Sequence, residues 1–367
     1  MTTSDPSTGS GSSRAASRDD TRPVRAGEEL DWTRLEAWLR DRLPAPALPE
    51  HDRRERMQVA QFPGGHSNLT YHVRFGGTEL VIRRPPFGPV APTAHDMARE
   101  YRILAALNGS AVPVPRVRHL CEDPSIIGAP FYVMDFVDGQ VYRSADDLLR
   151  IGPVRTATVG RRFVEALVSI HAVVAGDVGL GDLGRPEGFL ARQVRRWKKQ
   201  LDGSYSRPLA GADELYEKLA QSVPTTDAPA AIVHGDYRLD NLLFDDADQV
   251  AAVVDWEMAT LGDPLTDVGL ILAYEHLASL DGTIGNACAA PGFLTGSDLL
   301  EAYSTISGRT LDHMGFYVGL ASYKLATVLE GIHFRYLRGQ TTGEGFSGVG
   351  SAVEGLIAFG IQSLTTR

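Results

Sequence analysis

Residues 30–43, LDWTRLEAWLRDRL, place Leu35, Trp38, Leu39 and Leu43 at helical spacing behind Asp31, a residue type suited to capping a helix N-terminus. Pro44, Pro46 and Pro49 then stop that helix. The runs RMQVAQF, LTYHVRF and TELVIRR predict strands, the last two joined by a turn at Gly76–Gly77. AHDMAREYRILAALNGS returns to a helical period. VPVPRVRHL reads as extended because of its prolines, and PFYVMDFV because of its aromatic and β-branched content. Beyond Asp138 the texture changes. GRRFVEALVSIHAVV and most of the chain after residue 295 are helix-periodic, and strand-like runs shrink to AAIVHGD, NLLFDD and QVAAVVDWE. A β-rich part with one prominent helix, followed by a mainly helical part, is an α+β pattern. It is not the regular βαβ alternation of a dinucleotide-binding domain. The join is expected near residues 134–139, giving an N-lobe over 29–137 and a C-lobe over 138–367.

Residues 1–28 are rich in Ser, Thr, Gly, Asp and Arg and nearly free of large apolar side chains, so they are expected to be a disordered tail. They contain no apolar run resembling a secretory signal, and no segment of the chain reaches the roughly 18 apolar residues that span a bilayer. With 43% hydrophobic and 22% charged residues, the composition is that of an ordinary globular protein. The net charge of −10 argues against nucleic acid or an anionic membrane as partner. The two cysteines, Cys121 and Cys288, are far apart, which argues against a disulfide scaffold or a zinc cluster and fits a reducing cytoplasm.

The chemistry concentrates in IVHGDYRLDNLLF, residues 232–244, where five polar side chains stand inside an apolar frame. Burying such groups without partners costs roughly 2–7 kcal/mol even for a neutral amide, so something charged is expected opposite them. Asp236 and Asn241 are five residues apart, and Asp255 ends the apolar run VAAVVD. A kinase site needs one Asp to accept the hydroxyl proton. It also needs an Asn shortly after it, and a later Asp, to hold the magnesium ions that bridge nucleotide phosphates. HGDYRLDN matches His-Arg-Asp-x-x-x-x-Asn except for Gly235.

HGDYRLDNLLF followed by VVDWEMATLGDPLTDVG resembles the aminoglycoside phosphotransferase and choline kinase superfamily of small-molecule kinases. The likeness runs from about Leu30 to the C-terminus. Together with GGHSNLTYHV and VIRRPP, the texture is similar to the phosphotransferase-like domain that some acyl-CoA dehydrogenases carry as a fusion partner. The resemblance implies a two-lobed, protein-kinase-like fold that uses ATP and Mg2+. It makes Asp236 the catalytic base and Asn241 and Asp255 the metal ligands, with Asp267 bracing the catalytic loop. It makes Gly64, Gly65, Ser67 and Asn68 a phosphate-covering loop and Arg83 the substitute for the strand lysine, with Arg84 as the other register. Glu100 would pair with that arginine, and backbone groups of Asp135, Phe136 and Val137 would meet the adenine edge. His171 reads as a helix-end or core histidine, and His234 as a residue that holds the loop.

The acceptor is a small molecule bearing a hydroxyl, and one sequence does not select it. GFLARQVRRWKKQL puts Leu190, Val194, Trp197 and Leu201 on one helical face and Arg192, Arg195, Arg196 and Lys199 on the adjoining one. That stripe is either a solvated face or a contact for a phosphorylated substrate such as a coenzyme A thioester. Lys324, Glu330, His333 and Arg335 form a second polar set near the C-terminus. Only seven residues separate Asp255 from Asp263, which leaves no room for a protein kinase's regulated loop. The alternatives are an aminoglycoside as acceptor, and a nucleotide-binding pseudokinase that acts as an interaction module. An α+β hydrolase would lack a G-x-S-x-G elbow.

Overall fold

The computed structural model describes residues 21–62, 68–88, 95–204, 207–225, 229–280, 286–338 and 349–365. Five strands form one antiparallel sheet in the order β1-β2-β3-β5-β4: β1 (Gln58–Gln61), β2 (Leu69–Phe75), β3 (Thr78–Arg84), β4 (Val117–Cys121) and β5 (Phe131–Asp135). Side-chain alternation gives that sheet two different faces. On the outer face the paired residues Tyr71–Ile82 and Val73–Leu80 pack under Leu35, Leu39 and Leu43 of α1 (Trp32–Arg42) and its C-terminal cap. Asp31 caps that helix through the backbone N–H of Arg34, at 2.9 Å. A one-turn helix, α2 (Glu50–Arg53), leads into β1. The inner face presents Thr70–Arg83 and His72–Val81, and Val81, Tyr132 and Met134 pack there against α3 (Met97–Leu107).

Residues 21–28, expected to belong to a disordered tail, lie against the sheet. Arg22 and Gln61 exchange backbone hydrogen bonds of 2.8 Å each way, and the Tyr71 hydroxyl donates to the Glu28 carbonyl at 2.7 Å. Residues 21–28 are thus ordered, with Arg22 bridged to the end of β1. The docking is held by polar pairing around Gln61, which is buried, and hydrophobic composition carries no trace of that. Residues 1–20 lie outside the described residues.

After Asp135 the chain leaves the sheet, and Gln140 bridges to Phe244. Helices then dominate: α4 (Ala145–Ile151), α5 (Pro153–His171), α6 (Phe189–Gly203) and α7 (Ala212–Gln221) come first, then α8 (Leu265–Ala278), α9 (Gly296–Ser307), α10 (Met314–Leu337) and α11 (Val349–Thr365). Between α7 and α8 lie two small antiparallel pairs. One joins β6 (Ala231–Val233) to β9 (Thr260–Gly262), and the other joins β7 (Leu242–Phe244) to β8 (Val250–Val253). β9 has no β-branched or alternating run to announce it; pairing with β6 makes it a strand. Among the described residues, no helix is long and apolar enough to cross a membrane.

Candidate active site

The loop 234–241 connects β6 to β7, so both of its ends are anchored in buried strand residues (Ile232, Val233, Leu242 and Phe244). Gly235 has φ +81°, and a Cβ there would meet the Met258 carbonyl oxygen at 2.7 Å. Both facts demand glycine, which explains the departure from the kinase arginine at this position. Asp267, in the first turn of α8, accepts from the backbone N–H of His234 at 2.7 Å and of Gly235 at 2.8 Å. His171 ends α5 fully buried, with Nε2 at 3.2 Å from Asp267 Oδ2 and Nδ1 at 2.8 Å from the Tyr303 hydroxyl. It is a core histidine, as its position suggested, and it braces the brace. His234 accepts from the Asp236 N–H through Nδ1 (3.3 Å), which leaves Nε2–H to donate to the Val254 carbonyl (3.1 Å).

Burial pushes the Asp267 carboxyl up, but the hydrogen bonds from His171 and from the Gly235 N–H outweigh it, and the group titrates below the usual carboxylate value. A depressed native pKa stabilises the fold above about pH 4, the unfolded value, and that stabilisation is lost as pH falls through the native one. Asp267→Asn is therefore expected to cost on the order of 3 kcal/mol at pH 7, since it breaks a buried charge network. Thermal melts at pH 7 and pH 3 check this. The gap to wild type should narrow at the lower pH, and an equal gap at both would rule out the carboxylate as its cause.

Asp236 points away from this brace. Its Oδ1 accepts from the Tyr274 hydroxyl at 2.6 Å and its Oδ2 from Asn241 Nδ2 at 3.2 Å. Burial, reinforced by the Asp236 charge, pushes the Tyr274 phenol up, so it stays a donor. The Asn241 nitrogen also donates to the Asp236 carbonyl (2.9 Å), which turns its amide oxygen away from that residue. Val254 N–H donates to the Asn241 carbonyl at 2.9 Å, so the side chains of 241 and 255 emerge from neighbouring points of the β7–β8 pair. Arg238 contacts Asp240 and lies over the Tyr274 ring (5.3 Å), holding the outer turn. Tyr274 was missed by sequence reading. It stands two turns after Asp267 on the same face of α8, and that spacing was the signal available.

Across the cleft, Arg83 bridges two carboxylates. Its Nε is 3.0 Å from Glu100 Oε2, and its Nη2 contacts Asp255 Oδ1. Glu100 is buried and uses its second oxygen to accept from the Trp256 N–H at 3.2 Å. Arg83 is thus the arginine of β3 that faces the cleft. Arg84 lies on the outer face, buried, donating to the Pro85 and Ile127 carbonyls. Asp255 has φ +66°, a left-handed conformation that costs a non-glycine residue about 1–2 kcal/mol and that aspartate tolerates better than most. Asn68 is fully buried, giving Nδ2 to Glu257 (2.9 Å) with Oδ1 at 3.0 Å from His95 Nδ1. Its expected loop partners Gly64, Gly65 and Ser67 lie outside the described residues. At the end of β5, the N–H groups of Asp135 and Phe136 donate to the Arg116 and Glu79 carbonyls (2.9 and 3.2 Å). The Asp135 carboxylate takes a two-nitrogen contact from Arg118, and Phe136 packs 4.7 Å from the His72 ring. A nucleotide edge in this stretch therefore has to use groups other than those two N–H donors, such as the backbone of Val137.

Beside Gly235 lies a cavity of about 620 Å³ between α6, α10 and the segment 257–260, and Lys324 and Arg196 stand in its wall. Its three carboxylates are engaged: Asp96 caps α3 through the Arg99 N–H (3.0 Å), Glu257 holds Asn68, and Asp267 holds the backbone of His234 and Gly235. Phe189, Gln193, Arg196 and Thr260 continue into a second groove of about 500 Å³. That groove is lined by Arg185, Arg192, Arg195 and Lys199, besides Arg196.

The sequence profile of the phosphotransferase enzyme family matches residues 58–297, which holds every element of this site except α10 and the part of α9 that carries Tyr303. The chain belongs to the phosphotransferase enzyme family. The expected reaction class, transfer of a phosphoryl group to an alcohol acceptor, is that of the family. The chain is 32% identical to acyl-CoA dehydrogenase family member 11 of Gallus gallus over 93% of its length, and 33% identical to family member 10 of Mus musculus over 88%. It spans 44% and 30% of those two proteins. Among solved structures, a Ralstonia eutropha protein provisionally assigned as an aminoglycoside phosphotransferase superposes with a TM-score of 0.77 at 32% identity, covering 92% of this chain and 98% of that one. The ternary complex of aminoglycoside phosphotransferase APH(4)-Ia with ADP and hygromycin B shares the fold, with a TM-score of 0.57 at 16% identity over 84% of this chain and 95% of that one. The two-lobed α+β kinase-like architecture expected for this phosphotransferase is thus the one it has.

Proposed function

We propose that this phosphotransferase is an ATP- and magnesium-dependent kinase for a hydroxylated small molecule, and that the acceptor is a hydroxyacyl-coenzyme A-like thioester. Asp236 is the base that takes the hydroxyl proton, held in place by Tyr274 and Asn241. Asn241 and Asp255 are the groups that would hold magnesium, which supplies charge neutralisation at the nucleotide phosphates. The donor set fits that ion. Magnesium is commonly bound by one or two carboxylates plus substrate phosphates, and not by an all-protein cage. Here, no group of three or more His, Cys, Asp or Glu side chains able to hold a metal occurs among the described residues, and a cation, Arg83, already rests on the Asp255 carboxylate. Arg83, oriented by Glu100, would meet the nucleotide phosphates from β3.

One observation carries the acceptor class. The cavity beside Gly235, the residue before that base, opens into a groove whose five cations, Arg185, Arg192, Arg195, Arg196 and Lys199, have no carboxylate within 4 Å among the described residues, in a protein of net charge −10. Such a groove attracts the phosphate-bearing end of a coenzyme A thioester and repels a polycationic aminoglycoside. The relatives named as acyl-CoA dehydrogenases point the same way. ATP turnover measured across hydroxyacyl-coenzyme A thioesters, free hydroxy acids and aminoglycosides tests it. The thioesters are expected to give kcat/KM at least tenfold above the other classes. Preference for aminoglycosides would overturn the acceptor, and ATP–magnesium binding with no acceptor turned over would leave a pseudokinase.

A further inference from the structure

The chain contains only four lysines among its 36 lysines and arginines. Lys198 pairs with Asp202 at 2.6 Å, Lys218 faces Glu214 at 3.7 Å, and Lys199 is exposed on the basic groove. Lys324 differs from all of them. It projects from α10 on the face formed with Tyr317, Leu320 and Ala321, all of which line the cavity beside the catalytic loop. Its ammonium donates to the carbonyl of Gly235, the residue before Asp236, and lies 5.5 Å from the centre of the Trp197 ring. An ammonium has three donors and no acceptor. Among the described residues, no carboxylate lies within 4 Å of it, and this carbonyl is the one hydrogen-bond acceptor found.

We infer that Lys324 is a specificity-determining residue, the cation that receives the acyl carbonyl oxygen of the acceptor while Asp236 receives its hydroxyl. This rests on the coenzyme A reading above and adds a constraint to it. The carbonyl that Lys324 meets belongs to the residue before Asp236, consecutive Cα atoms are about 3.8 Å apart, and the Asp236 charge acts on the ammonium, so a group docked on Lys324 and a hydroxyl docked on Asp236 belong to the same short stretch of the acceptor. The thioester end then continues past Gln193 and Arg196 towards the groove. Burial pulls the Lys324 ammonium below its usual value, against the pull of the Asp236 and Asp267 charges, which marks a cation held in its cavity at a cost to stability. A lysine kept for structural reasons would lower stability when removed. One kept for binding should leave the thermal midpoint of Lys324→Met at or above that of wild type.

The test is equilibrium binding in the presence of magnesium and a non-hydrolysable ATP analogue. The probes are 3-hydroxybutyryl-coenzyme A and the thioether of the same skeleton, which lacks the carbonyl oxygen. Wild type is expected to prefer the thioester by at least tenfold. Lys324→Met should bring the two within about twofold by weakening the thioester alone, and Lys324→Arg should restore part of the preference. Equal binding of both probes by wild type overturns the role of Lys324 while leaving the coenzyme A reading standing. Failure of wild type to bind either probe overturns both. If Lys324→Met does not fold, Lys324→Arg and Lys324→Gln carry the same comparison, and an unchanged preference in Lys324→Gln overturns the assignment.

Discussion

Asp236→Asn should bind nucleotide with wild-type affinity and lose about 10²–10⁴-fold in kcat, the range that a positioned general base supplies. The substitution is mild sterically, and the hydrogen bonds show why the fold should survive it. The new amide oxygen can still accept from Asn241 Nδ2, now 3.2 Å from the carboxylate. The new NH2 can donate to the Tyr274 oxygen, which reverses its role as donor. What disappears is the negative charge facing the acceptor. Measuring kcat, the dissociation constant of an ATP analogue and the thermal midpoint together separates chemistry from folding. A kcat within tenfold of wild type would remove Asp236 as the base.

Asp255→Ala is expected to act on a different quantity, the dependence of nucleotide affinity on magnesium. In wild type, adding the metal should tighten ATP binding at least a hundredfold, and in the variant the two affinities should coincide. Turnover should fall about 10³-fold or more, since metal and arginine charge carry most of phosphoryl-transfer catalysis. Arg83 would keep Glu100 as its remaining ion-pair partner, 3.0 Å away. Alanine also inherits the left-handed φ of +66°, which costs stability independently of the metal. Asp255→Asn is the companion that tolerates this backbone, so an affinity response shared by both variants belongs to the carboxylate. Retained magnesium dependence in both would show that the ion is held elsewhere.

How much of this was legible in the sequence follows from how local each feature is. Asp236, Asn241 and Asp255 announce themselves because polar side chains in short turns between apolar strands stand out from their frame. Helix α1 and the β2–β3 hairpin were readable because period and turn chemistry lie within a few residues. Arg83 against Arg84 was not decidable by alternation alone. The choice depends on which face of β3 meets α3, and on Glu100 and Asp255 approaching from 17 and 172 residues away. Lys324 was one of several polar residues on a long helix. Only the packing of α10 against the catalytic loop singles it out. Residues 21–28 show the opposite failure, because a polar composition does not rule out pairing onto an exposed strand edge.

The stretch from Asp255 to Asp263 has a consequence of its own. Residues 256–258 form one helical turn, and Thr260–Gly262 is paired with β6. Arg99 reaches over from α3 to donate to the Glu257 and Ala259 carbonyls. Protein kinases place at this point a long segment that swings out and is switched by phosphorylation, whereas here it is sewn down from both lobes. A segment tied down this way can swing out only by giving up contacts to both lobes at once.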